Sequence, residues 1–553
     1  MTKLPTTLFT NGRVFLSGVR PGTNAGLHLA PTFASALLVR GTHIALVGDA
    51  SDPAVAAARA DPHTVVRDLG GKTLFPGFVD GHMHLMMMGQ SLNKLDLGLC
   101  KSLVGIQTAI RAYADENPDV SRILCRGWMH SMTPGHVTAK DLDGLDGERN
   151  RAILIDTKDL HSTWCNTAGI KELGADEWAD VPGGTIERDG NGKPTGVFNE
   201  AANITYVWPF LAKVATMAER TTAIEAAVAA YHEAGYTGLI DMAMDEGAWD
   251  ALQALRKEGP IPMRIAAYWL VRPSKTEAEN LAQVERAIEL AREFNASTTP
   301  DCRIVGVKVI CDGIIDACTA GLTEPYSHNG HLEVPLWTFE QLEPVVRRAD
   351  EAGLQIALHA IGDATIKMVV DILTAHAASE RRPRVEHIEL ASEADVVRLG
   401  EGRITASIQP VHADPAILRA WPKLIGEHRC GRAFAYREFA DAGAPLALGS
   451  DAPTAPHTPL GNVYVGATRR SYREPGLETV VNPHFALGLC EAVAAATEGA
   501  AYSCFDDHRI GVLEKGYRAD LVIADMEWEK EKLMQAKVTE TWYNGAKVWS
   551  AED

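Results

Sequence analysis

Between residues 76 and 499 the sequence alternates short apolar segments, rich in β-branched residues, with longer stretches of helical period. That alternation limits the fold more than any other feature, because strands separated by helices pair in parallel and need both faces covered. Eight segments read as strands: "TLFPGFVDGH", "TGLIDMA", "MRIAAYWLV", "RIVGVKVICDG", "LQIALHAIGD", "PRVEHIEL", "RITASIQPV" and "PLALGSDAP". Helical stretches such as "TTAIEAAVAAYHEAG" and "TFEQLEPVVRRADEAG" lie between several of them, each closing on a glycine. Eight such units are the count of a (β/α)8 barrel, so the expected fold class is α/β with a TIM-type barrel. The count leaves out "RILCRGWMH" and "RAILIDTKDLH". Both fall in residues 100–215, read as a large inserted subdomain after the first barrel strand. The same interval holds "VPGGTIERDGNGKPTGVFNE", whose turn residues predict a hairpin, placed over the barrel mouth.

The two ends of the chain read differently. Residues 1–75 ("TLFTNGRVFL", "ALLVRGTHIALVGD") and 500–553 ("ADLVIAD", "VTETWYNGAKVWS") carry alternating strand patterns and glycine turns. Neither end is long enough to bury a core alone. The expectation is one composite β-sandwich built from both termini, flanking a barrel at residues 76–499.

At the mouth of such a barrel the strand ends carry the chemistry. Here five strand candidates end in a residue able to hold a cation: His82 and His84 on the first, Lys308 on the fourth, His359 on the fifth, His387 on the sixth and Asp451 on the eighth. Four imidazoles and a carboxylate suit one or two borderline divalent ions, zinc foremost. Lysine has only donors when protonated. Burial beside a cation presses it towards the neutral amine, which can add carbon dioxide and become a carbamate able to bridge two metals. Taken singly, each residue has a plainer reading. "HMH" could be a satisfied core pair, "ALHAIGD" and "RVEHIE" could carry structural histidines, "GSDAP" is a turn, and Lys308 could snorkel at a rim. All of them together, each at a strand end, would require several independent coincidences.

The net charge of −19 speaks against nucleic acid, which is bound by neutralising phosphates with Lys and Arg. No apolar run reaches the roughly 20 residues of a membrane span. The first residues, "MTKLPTTLFTNGRVFLSG", lack a signal-peptide pattern. Nine cysteines without repeated spacing read as reduced thiols. The expectation is a cytoplasmic protein acting on a small-molecule substrate, with no nucleic-acid or membrane partner and with homo-oligomerisation left open.

The segments "FPGFVDGHMH", "VKVICDG", "LHAIGD", "RVEHIEL", "SIQP", "LGSDAP" and "GVLEKGYRADLVIAD" resemble the amidohydrolase superfamily, in particular its family 3 branch. "GGTIERDGNGKPTGV" is similar to the same branch, so the resemblance spans nearly the whole chain. It implies a barrel with a two-ended sandwich. It also implies that His82, His84, His359, His387 and Asp451 bind or serve the metal, with Lys308 as the carboxylated lysine. The activity it implies is hydrolysis of a C–N bond in a small amide, an N-substituted formamide or another N-acyl or cyclic amide. Asp451 would shuttle the proton, and His387 or His161 would stabilise the oxyanion. Trp128, Tyr326, Trp337 and His412 are read as pocket-lining residues. A ring-amine deaminase needs the same ion and base. A binding protein that kept only the barrel should have lost a ligand or the base, and none is missing.

Overall fold

The structure, a computed structural model, describes residues 6–22, 29–129, 132–133, 135–158, 162–181, 184–200 and 202–552. Its central sheet has eight parallel strands in chain order: β1 (Phe78–Met83), β2 (Tyr236–Met244), β3 (Arg264–Val271), β4 (Cys302–Ile310), β5 (Gln355–Ala360), β6 (Arg384–His387), β7 (Thr405–Ile408) and β8 (Leu446–Leu448). They are the eight segments expected from the alternation. The helices between them start on sequence-coded caps. Thr276 and Thr338 each form a capping box, with Glu279 and Gln341 respectively.

β1 and β8 are the two ends of this hydrogen-bonded sheet, and the seam between them is tight. Asp451 N donates to His82 O (2.7 Å) and His84 N to Ala452 O (3.0 Å). A Cβ on Gly81 would stand 2.5 Å from Leu448 O, and one on Gly449 2.4 Å from His82 N, so only glycine permits this approach. Asp80 stitches the seam with its carboxylate, which accepts from Ser450 N (2.8 Å), Ser450 Oγ (2.5 Å) and Tyr231 OH (2.9 Å).

Low in the barrel, Val79, Ile240, Ala266, Tyr268 and Ala357 pack against Ala500, Ala501, Cys504 and Ile510. Ser503 O accepts from Gln355 Nε2 (2.9 Å) and Ser503 Oγ from Arg384 Nη1 (3.0 Å). Residues 500–510 were expected in the terminal sheet. They instead close the barrel floor, because their small apolar side chains fit the space left there. Strands Thr6–Leu16, Thr32–Arg40, His43–Gly48, Thr64–Asp68 and Thr73–Pro76 join Leu521–Asp525, Lys537–Tyr543 and Ala546–Ser550 in one eight-stranded sheet. Thr73–Pro76 and Leu521–Asp525 are its junction, pairing antiparallel. Phe9, Leu37, Leu74, Leu521, Ile523 and Trp542 form its core.

A second compact unit spans residues 86–227 with 250–254, wider than the interval 100–215. It has its own six-stranded sheet, which takes up both segments left out of the barrel, as Ile123–Trp128 and Ile153–Thr157. Gly184–Arg188 and Pro194–Glu200 pair antiparallel as a hairpin. All nine cysteines are free thiols. Among the described residues, no helix is long and apolar enough to cross a membrane.

Candidate metal centre

Alternation along β1 turns His82 to the barrel axis, and His84 follows just past the strand end. Their rings stand 5.6 Å apart, His82 and His387 4.8 Å, and His359 and His387 4.3 Å. His387 stacks on His412 at 5.8 Å. Asp451 Oδ1 lies 3.0 Å from His84 Nε2 and 3.5 Å from His82 Nε2, while its Oδ2 lies 3.6 Å from His412 Nε2. The fold thus brings His82, His84, His359, His387 and Asp451 together. His387 and Asp451 hold left-handed backbone (φ 75° and 57°), a conformation uncommon for residues other than glycine.

The electrostatics leave these groups in ligand form. Burial, reinforced by the Lys308 charge, pulls His82 down to about 4 and His359 to about 3. Burial also takes His387 well below its usual value. A neutral imidazole keeps the lone pair that a cation needs. Burial likewise lowers Lys308 to about 8, against the opposing pull of Glu386 and Asp451. Asp451 is held well below the carboxylate range: burial raises it, but the imidazoles around it outweigh that.

Two neighbours absent from the expected set orient this cluster. Glu386, two residues after Arg384 on β6, accepts from Arg384 Nε (2.6 Å) and Nη2 (3.1 Å) and from His82 Nδ1 (2.6 Å). Burial raises its pKa, yet Arg384 and His82 together hold it below the usual range, so it is ionised and can only accept. His82 therefore carries its proton on Nδ1 and turns the Nε2 lone pair inwards, the usual outer-shell device for a metal-binding histidine. Glu389 lies 3.5 Å from His412 Nδ1. The signal in the sequence was the run "RVEH", where charges occupy alternate positions of an otherwise apolar strand.

Which of these groups could hold an ion follows from what they lack. Lys308 Nζ and His387 Nδ1 are buried without a hydrogen-bond partner among the described residues, and Asp451 Oδ1 faces only the imidazoles of His84 (3.0 Å) and His82 (3.5 Å). Single ligand atoms of His82, His84 and Asp451 lie within 4.8 Å of one another, as do those of His387, Glu389 and His412. Two neighbouring groups of buried imidazole nitrogens and carboxylate oxygens fit a borderline divalent cation.

The expected pocket residues fare differently. His412 joins the cluster as an imidazole. Trp128 is buried in the core of the second unit, 5.2 Å from Trp164, which corrects its expected place at a pocket. Tyr326 and Trp337, each 1% exposed, spend their polar edges on their own loop, at Ala320 (3.1 Å) and at Ile310 O (3.1 Å). They brace the segment after β4. His161 lies outside the described residues.

Residues 65–549 match the model of the Amidohydrolase family. Protein LONG AFTER FAR-RED 3 of Arabidopsis thaliana is 28% identical over 560 residues, which cover 98% of this chain and 91% of the relative. The N-substituted formamide deformylase of Arthrobacter pascens is 24% identical over 551 residues, 93% of this chain and 94% of its own. Among solved structures, an uncharacterized metal-dependent hydrolase from Pyrococcus furiosus superposes with a TM-score of 0.76 at 24% identity, covering 95% of this chain and 100% of that one.

Proposed function

Since this chain belongs to the amidohydrolase family, we propose that its barrel mouth is a divalent-metal site hydrolysing the C–N bond of a small amide. The observation that carries this is the clustering of His82, His84, His359, His387 and Asp451 at the strand ends, with Lys308 Nζ and His387 Nδ1 buried and unpaired among the described residues. Zinc is the ion that suits this donor set. N-substituted formamides are the first substrates to try, a choice supported by the Arthrobacter pascens relative's name.

A bound cation would supply Lewis acidity, making water nucleophilic near neutral pH and polarising the substrate carbonyl. The protein's own part is orientation and proton transfer. Asp451 takes the proton of the attacking water on one oxygen and returns it to the leaving nitrogen, which departs poorly as an anion. His412, with Glu389 near its Nδ1 and Asp451 near its Nε2, joins His387 and His161 as a candidate donor to the developing oxyanion. The test is elemental analysis of the purified protein, followed by a panel of formamides, anilides, cyclic imides and aminopurines. Release of amine and acid from an amide is expected. Activity confined to ring amines would replace this reading with a deaminase, and metal-free protein would remove both.

Lys308 sets the metal count. Its neutral amine can attack the carbon of carbon dioxide: the N–C bond forms as one C=O π bond opens to C–O⁻, a proton leaves to solvent, and the carbamate would offer two oxygens to a bound cation. Lys308→Ala should then lose one of two metal equivalents and most of its activity, with partial recovery when small carboxylic acids are added to the buffer. A variant that keeps its full metal content and rate would make the centre mononuclear and Lys308 structural.

A further inference from the structure

Gln409 follows β7 in the run "SIQP" and is 1% exposed, yet neither its amide nitrogen nor its amide oxygen meets a partner among the described residues. A buried carboxamide normally satisfies both ends, since an unpaired donor and acceptor away from water are costly. Its position indicates where the pairing comes from. Two residues earlier, Ser407 Oγ accepts from Arg384 Nη2 (2.9 Å) inside the barrel. Gln409 stands one residue past the end of β7 and two beyond Ser407 (φ −119°, ψ 85°), and carrying the strand's alternation on by that one residue assigns its side chain to the same inner face, one layer nearer the mouth. Its main chain is pinned there, as Gln409 O accepts from His412 N (2.9 Å) and Tyr436 OH (3.2 Å). The flanking strand ends carry His387 on β6 and Asp451 just beyond β8.

A metal site would account for the unpaired atoms of Lys308 and His387, but not for a carboxamide, which offers a donor and an acceptor side by side and no charge. We propose that Gln409 is a substrate-binding residue that pairs with an amide edge, a group presenting N–H and C=O on one side, as in a cis amide or a cyclic imide. Nε2 donates to the carbonyl and Oε1 accepts from the N–H. The pairing selects substrates that keep the N–H and rejects N-alkylated counterparts, whose binding would leave Oε1 buried and unpaired.

This inference rests on the amidase reading, so its test has one arm that needs no turnover. In metal-loaded protein, binding of succinimide and N-methylsuccinimide is measured by calorimetry for native chain and for Gln409→Met, which keeps length and removes both polar atoms. Alongside, kcat/KM is compared for a secondary formamide and its N-methyl counterpart. Native protein should favour the N–H partner of each pair by roughly tenfold to a hundredfold, the range for one or two hydrogen bonds. Gln409→Met should lose most of that preference while keeping its metal and melting no lower than native. A variant that keeps the preference, loses metal or melts well below native overturns the proposal and makes Gln409 structural. Selective binding without turnover of any amide would uphold Gln409's role and remove the hydrolysis reading instead.

Discussion

Asp451→Asn should leave most of the bound cation in place and lower kcat by about 10²–10⁴, the usual range for losing a general acid–base group. The geometry makes this substitution informative. Oδ1 faces His84 and His82 at 3.0 and 3.5 Å, and Oδ2 faces His412 at 3.6 Å. One oxygen therefore belongs to the ligand side of the cluster and the other to the side where a reacting group would lie. Asparagine keeps an oxygen for the first task but cannot take up a proton near neutral pH. The fall should be smaller for nitroanilides than for alkyl amides, because a good leaving group needs less protonation to depart. Near-normal turnover of an alkyl amide would end the proton-shuttle assignment. Loss of metal together with activity would make Asp451 chiefly a ligand and move the search for the base to His412.

His82→Asn should strip or sharply reduce bound metal and lower hydrolysis by roughly 10³-fold or more, corresponding to the several kcal/mol of Lewis-acid stabilisation at stake. Asparagine is chosen because its amide nitrogen takes roughly the place of Nδ1 and can still donate to Glu386. The buried Arg384–Glu386 pair thus keeps its partner, and what disappears is the inward Nε2. Circular dichroism and melting behaviour close to native, with metal content measured by elemental analysis, would separate loss of a ligand from loss of the fold. His84→Asn should behave similarly. Normal metal and normal rate in both variants would remove the metal-site reading altogether.

Much of this was legible in the chain itself. Hydrophobic period and glycine punctuation mark the eight strands, because a parallel strand buried on both faces must be continuously apolar and its helix must stop before the next one. The same logic exposed His82, His84, Lys308, His359, His387 and Asp451: a polar residue at the end of an apolar strand stands out locally. Residues 500–510 did not stand out, since small apolar side chains suit a sheet, a helix or a barrel floor equally well. Trp128 was misplaced for the converse reason, because an aromatic residue's chemistry does not say which core it fills.

What only the tertiary structure decided was pairing at long range. His82 meets Glu386 across 304 residues, and Asp80 meets Ser450 across 370. No local pattern encodes such contacts, because they arise when eight separately specified strands curl until first and last touch. His412 is the plainest case. Its sequence neighbourhood gives a turn after a strand, and only barrel closure sets its two nitrogens between Glu389 and Asp451. The sequence determined which residues reach the mouth, since strand ends are a local property. Closure determined which of them face one another, and therefore which proton, lone pair or unpaired amide each one presents.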